Sequence, residues 1–257
     1  MPKDSTTNIL FVAITLCLVC SVIVSTAAVK LKPAQERNKL LDQKVNILKV
    51  SGLWEEGQDI DELFSSIESK IVDLDTGEFT DAIDREAFDQ RKSAKISSQS
   101  IALSGDIDIA NINRRSNYAK IYLVKDNNLI SRVVFPVHGY GLWSTLYGYV
   151  TLENDLNTIY ALRFYDHRET PGLGGEVDNA KWQSSWKGKK VFDESGDIAF
   201  QVMKGNVVAG NKSEAYQVDG LSGATLTSNG VTNMIRFWLG EYGFEKFIDN
   251  IKSRGML

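Results

Sequence analysis

Ser222 and Thr225 sit three residues apart in the stretch Val218-Asp-Gly-Leu-Ser-Gly-Ala-Thr-Leu-Thr-Ser-Asn-Gly230, where hydroxyls and glycines crowd one short segment. Two chemistries fit such a segment. In the first, Ser222 is a nucleophile, because Gly-Leu-Ser-Gly-Ala comes one residue short of the G-x-S-x-G elbow of serine hydrolases. In the second, one of the hydroxyls is the attachment point for a bulky group. A hydroxyl nucleophile needs a base, and the chain holds only two histidines, His138 and His167. Both precede the serine, whereas in α/β-hydrolases the histidine follows it, and Ala224 stands where the elbow has its second glycine. Attachment by an outside enzyme requires no local base. Cys17 and Cys20, the only cysteines, have C-x-x-C spacing. They lie inside an apolar run, where an ionised thiolate is costly, so they read as small apolar side chains rather than as a redox or metal pair. No metal site is expected.

The residues after the hydroxyl cluster must place it. Val231, Ile235, Trp238 and Leu239 recur at helical intervals, which predicts a helix starting near Thr227 or Ser228, either of which suits an N-cap. The first amides of that helix lack intrahelical partners and its dipole is positive there, so an anion such as phosphate beside Thr225 is favoured. Gly223 and Ala224 keep the approach free of bulk. Upstream, Ala119–Lys125, Leu129–Val137, Tyr147–Glu153 and Asn157–Asp166 are rich in β-branched and aromatic residues and separated by Asn, Asp and Gly, which predicts antiparallel strands. No G-x-G-x-x-G follows a strand, which argues against a dinucleotide fold of that kind. Two glycine-rich stretches, His138–Tyr149 and His167–Val177, read either as tight turns or as loops against a flat ligand; Tyr140, Trp143 and Tyr147 favour a ring in the first.

Nearer the start, Leu41, Val45 and Leu48 predict a helical stalk ending at Gly52, and Leu63, Ile67 and Ile71 predict a second amphipathic helix. Before the stalk, Ile9–Val29 runs for 21 residues without charge, proline or glycine. At roughly 1.5 Å per residue it is long enough to cross the hydrocarbon core of a bilayer. A signal peptide is the rival, favoured by the small residues Ser25–Ala28, but its apolar core would be shorter and a basic segment would precede it. A retained single-pass anchor is therefore expected. Basic residues flank the run as Lys3 on one side and Lys30, Lys32, Arg37, Lys39 and Lys44 on the other, which by the positive-inside rule puts the body in the cytoplasm. With 257 residues, 43% hydrophobic and 24% charged, and a net charge of −4, the chain is an ordinary globular protein with no basic surface for nucleic acid.

Asp219-Gly-Leu-Ser-Gly-Ala-Thr225 resembles the flavinylation motif in which the final threonine is esterified by the phosphate of FMN, transferred from FAD by a separate flavin transferase. With Gly141–Glu153, Glu169–Val177, Trp186–Lys190 and the single amino-terminal membrane helix, the chain resembles the C-type subunit of the Na+-translocating NADH:quinone oxidoreductase over nearly its whole length. The G-type electron-transport subunit of the Rnf complex shares the anchor and the flavin turn and is the nearest alternative. The resemblance implies an α+β fold in which a transmembrane helix precedes an FMN-binding domain of mainly antiparallel sheet and flanking helices. It implies a division into residues 1–32, a cytoplasmic tail and membrane helix, and 33–257, a soluble FMN domain with a stalk and helical region over 33–115. It further implies covalent FMN on Thr225, with Asp219, Ser222, Gly223 and Ala224 as recognition elements of the transferase. Thr170, Gly172, Leu173 and Gly174, with Leu142, Trp143, Ser144 and Thr145, are the expected isoalloxazine pocket. The implied setting is an inner-membrane complex with other subunits that couples NADH oxidation and ubiquinone reduction to sodium export. There the flavin domain faces the periplasm, against the charge count, and the subunit alone oxidises no NADH.

Overall fold

The computed structural model describes residues 5–127 and 129–255 and resolves into two compact units, residues up to 44 and residues from 45 onward. Among its described residues the first unit is helical from Thr6 onward. Helix α1 (Thr6–Ser51) begins in it and continues into the second unit. Its run from Ile9 to Val29 is exposed throughout and reaches a mean hydropathy of 2.7, making it long and apolar enough to cross a membrane. Pro33 lies inside α1, where it removes one backbone donor just beyond the apolar run. The helix stops where Gly52 adopts a φ of +74°, a left-handed turn that glycine takes without a Cβ penalty.

The second unit is built on a six-stranded, wholly antiparallel sheet. In chain order its strands are β1 (Ile67–Asp73), β2 (Glu78–Phe79), β5 (Tyr118–Asp126), β6 (Leu129–Tyr140), β7 (Thr145–Glu153) and β8 (Ile159–Asp166), arranged β2-β1-β5-β6-β7-β8. The four long strands fall where their β-branched and aromatic runs predict them. Their near-continuous apolar character has a reason: alternate residues enter different cores on the two faces of the sheet. Leu123, Val133, Phe135, Val137, Val150 and Leu152 join one cluster, with α5 (Thr225–Leu239) and α6 (Glu245–Arg254) packed against it. Tyr122, Val124, Val134 and Tyr149 join the other, covered by Ile47, Leu48 and Val50 at the end of α1.

The expected second amphipathic helix is not there. Only α2 (Ile60–Phe64) forms, capped by Asp59, and Ile67–Asp73 is strand β1, paired residue for residue with β5. Ile67, Ile71 and Val72 are β-branched, and in a sheet Val72 joins one core and Ile67 the other; pairing with β5 overrides the weak helical spacing. The rest of the supposedly helical stretch holds α3 (Gln90–Ser93) and a small antiparallel pair, β3 (Ser100–Ala102) with β4 (Arg114–Ser116). The first glycine-rich stretch is mostly strand as well, its turn confined to Gly141–Ser144. After β8 come α4 (Ala180–Ser184) and a two-residue parallel pair, β9 (Gln201–Val202) with β10 (Gln217–Val218), which leads directly into the hydroxyl cluster.

Candidate functional site

Helix α5 opens at Thr225, ahead of the predicted start near Thr227 or Ser228, and its N-cap is Ala224, whose side chain caps nothing. Ser228 is not the cap because its Oγ is used elsewhere: it accepts from Leu221 N at 3.0 Å and closes the turn ahead of the helix. The first intrahelical donor is Ser228 N to Ala224 O, so the amides of Thr225, Leu226 and Thr227 lie ahead of the hydrogen-bonded ladder. Thr225 is exposed at this positive end of a 15-residue helix. Thr227, about 200° further round at 3.6 residues per turn, is fully buried.

The turn before Thr225 is held by its backbone. Gly223 has a φ of +70°, and a Cβ there would meet only Leu173 Cδ2, at 3.0 Å. Gly220 permits no side chain, because its Cβ would collide with the carbonyl of Met203. Asp219 faces away from the helix start: its Oδ1 accepts from Val207 N at 2.7 Å, and its carbonyl accepts from Trp182 Nε1 at 2.8 Å. Ser222 is exposed, and among the described residues no hydrogen bond joins it to a histidine. His167 is occupied, its Nε2 lying 2.8 Å from Asp178 Oδ2 and its Nδ1 accepting from Glu169 N. His138 lies between Tyr147 and Trp238, where burial first, and the charge of Arg91 second, lower its pKa to about 3. Neither ring is placed to activate Ser222.

Glu169, which heads one of the stretches carrying the resemblance but has no implied role there, joins the remaining predicted residues. Its carboxylate accepts from the backbone amides of Leu142 (3.2 Å), Trp143 (3.0 Å) and Ser144 (3.1 Å) and from Thr227 Oγ1 at 2.9 Å. The residue is only 5% exposed. Burial opposes its charge, yet the donors from Trp143, Thr227, Leu142 and Ser144 together outweigh burial and hold its pKa below the usual carboxylate range. A Cβ on Gly141 or Gly174 would lie 2.7 Å from this carboxylate, so a side chain at either position would displace it from its donors. Of the predicted pocket, Leu142, Trp143, Ser144 and Gly174 therefore meet around one carboxylate, and Leu173 lies against Gly223. Thr145 opens β7, half-buried and paired with Tyr140. Thr170 and Gly172 are exposed in the loop that Gly175 N closes on Thr170 O at 2.9 Å. The one trace of Glu169's role in the sequence is its place, a carboxylate shortly ahead of a loop with three glycines, Gly172, Gly174 and Gly175.

The resulting surface is apolar beside the helix start: Trp143 is 66% exposed, Leu226 58% and Leu173 44%. An exposed hydroxyl at an uncapped helix end, flanked by apolar side chains, suits a ligand that is anionic at one end and flat and apolar at the other. A family model described as an FMN-binding domain matches residues 141–240, which span the three segments of this site. The fold and site thus define a flavin-binding domain behind a helix of membrane-spanning length.

The C-type subunit of the Na(+)-translocating NADH-quinone reductase of Pseudomonas aeruginosa is 49% identical over 255 residues, covering 98% of each chain. The same subunit of Vibrio anguillarum is 48% identical over 255 residues, covering 99% of this chain and 98% of that one. The crystal structure of NqrC from Shewanella oneidensis superposes with a TM-score of 0.76 at 37% identity, over 86% of this chain and 99% of that one. The chain belongs to this family, the C-type subunits of the Na(+)-translocating NADH-quinone reductase.

Proposed function

We propose that this chain is an electron-transfer subunit of a membrane NADH:ubiquinone oxidoreductase that exports sodium, and that its FMN is joined through phosphate to Thr225 Oγ1. The observation that carries this reading is the exposed hydroxyl of Thr225 at the start of a long helix that no side chain caps. The residues present fit FMN at both ends. The amides of Thr225, Leu226 and Thr227 and the helix dipole offer donors and positive potential to a phosphate. Leu142, Trp143, Leu173 and Leu226 supply the apolar surface that an isoalloxazine ring requires, and Thr170, Gly172, Gly174, Ser144 and Thr145 border it. When bound, FMN supplies reversible uptake and release of electrons. The chain's own residues hold and orient it: a covalent tether replaces a dissociable equilibrium by a high effective concentration, so the ring can rest in a shallow pocket.

The esterification is the work of a separate flavin transferase, for which Asp219, Ser222, Gly223 and Ala224 form the recognition turn. Residues 1–32 act as tail and inner-membrane anchor, and the domain over 33–257 faces the periplasm, beside the other subunits of the complex. There a free flavin pool is absent, and covalent attachment is an advantage. The test is a denaturing gel viewed under ultraviolet light, with intact-mass spectrometry alongside. Protein from cells that contain the transferase is expected to give a fluorescent band and the mass of one FMN ester, and Thr225→Leu to lose both. An unmodified mass for the unaltered chain would overturn the reading. The purified subunit is also expected to oxidise no NADH by itself.

A further inference from the structure

Glu169 raises an energetic question of its own. Among the described residues no Lys or Arg forms an ion pair with it, although the residue is almost wholly buried. A buried carboxylate without a counter-charge is costly and persists only where hydrogen bonds satisfy it. Here the donors come from separate parts of the fold. One oxygen receives the amides of Trp143 and Ser144, and the amide of Leu142 lies 3.2 Å from both oxygens, which turns that segment's backbone inward while Leu142 and Trp143 remain exposed. The other receives the hydroxyl of Thr227, two residues beyond Thr225 on the same helix turn. One side chain therefore sets the relation between the segment proposed to face the ring and the helix start proposed to hold the phosphate.

Resting on the FMN reading above, we propose that Glu169 is the positioning residue of the flavin site. Its carboxylate locks the Leu142–Ser144 segment to the first turn of α5 and places an unbalanced negative charge behind the ring pocket. Electrons arriving at a flavin add negative charge, and a fixed anion in a poorly solvated site opposes that addition. Glu169 then does two separable things: it orders the pocket, and it makes the flavin harder to reduce.

Glutamine separates these roles. In Glu169→Gln the amide oxygen can still receive the three backbone amides, while its NH2 donates to Thr227 Oγ1, whose hydroxyl turns to accept; shape is kept and charge is lost. Glu169→Ala removes both, and Thr227→Val weakens only the tie to the helix. The full chain would be produced with the transferase and purified in detergent. Loading would be read from in-gel fluorescence and mass, pocket order from the visible circular dichroism of the flavin, and the midpoint potential from a redox titration followed optically. Glu169→Gln is expected to load fully, keep its dichroism and show a more positive midpoint. Glu169→Ala is expected to carry the ester with its dichroism largely lost, and Thr227→Val to show a partial loss. A Glu169→Gln potential equal to that of the unaltered chain would sink the electrostatic role. Unchanged dichroism in Thr227→Val, or in a folded Glu169→Ala, would sink the positioning role. Absence of flavin from the unaltered chain would instead bring down the FMN reading itself, and this inference with it.

Discussion

His138 shows how residue type and residue role part company in this chain. An imidazole is the natural first suspect for acid–base chemistry at neutral pH. This one is packed between Tyr147, at a centroid distance of 5.4 Å, and Trp238, at 4.7 Å, close to the Arg91 guanidinium that itself lies over Tyr147. With a folded value of about 3, the ring stays neutral across the physiological range and is a poor proton acceptor. As pH falls, the unfolded chain takes up the proton first, so His138 contributes full stability above the unfolded imidazole value and that contribution is lost from there down toward about pH 3. The His138 ring is therefore expected to show no NMR titration between pH 5 and 8. Thermal unfolding followed over the same range should find His138→Gln losing less stability on acidification than the unaltered chain; an equal loss would mean the ring is not held neutral.

Helix α5 and strand β6 are the elements on which the site depends, and small residues set their separation. A Cβ on Gly230 would run into the carbonyl of Tyr140, and one on Gly139 would lie 2.8 Å from Met234 Cβ. The helix is thereby seated against the end of the strand that leads into the Gly141–Ser144 turn. Gly230→Ala is expected to destabilise the domain by about 1–3 kcal/mol through overpacking. Urea unfolding would measure this, and a midpoint within error of the unaltered chain would contradict the contact. Ser228→Ala leaves the buried Leu221 with a backbone donor that has lost its hydroxyl acceptor, a cost of about 1–3 kcal/mol. Because it opens the turn proposed as the transferase's recognition element without touching Thr225, Ser228→Ala is also expected to slow the proposed esterification, which the ratio of modified to unmodified mass over time would reveal.

Across the whole molecule, the end of α1 belongs to the domain's core. Ile47, Leu48 and Val50 cover the second face of the sheet, Thr151 Oγ1 donates to Val50 O at 3.0 Å, and Arg163 Nε donates to Asn46 Oδ1 at 2.7 Å. A chain starting at Gln35 retains these contacts and is expected to be soluble and cooperatively folded. One starting at Leu53 exposes the face that they cover, and at about 1.5–3 kcal/mol for each buried aliphatic side chain it should aggregate or melt far lower. Calorimetry of the two chains compares them directly, and equal melting temperatures would show that the helix end is dispensable.

Patterns that depend on near neighbours were legible in the amino-acid order alone. Ile9–Val29 is apolar enough to cross a bilayer whatever surrounds it, strands β5 to β8 announce themselves by β-branched and aromatic density, and the seven residues ending at Thr225 carry the family resemblance. What tertiary structure decided concerns partners distant in the chain. Ile67–Asp73 is a strand because β5, some fifty residues later, offers it a ladder. The helix start moved to Thr225 because Ser228 was engaged by Leu221 rather than by the helix, and Thr227 by a carboxylate 58 residues upstream. Glu169 heads a stretch that carries the resemblance, yet nothing in the sequence gives it a role, since its burial and its donors exist only once two loops and the first turn of α5 converge. Periodicity records which face of an element is apolar; it holds no record of which distant backbone amides a side chain will meet, and those meetings are what make this site.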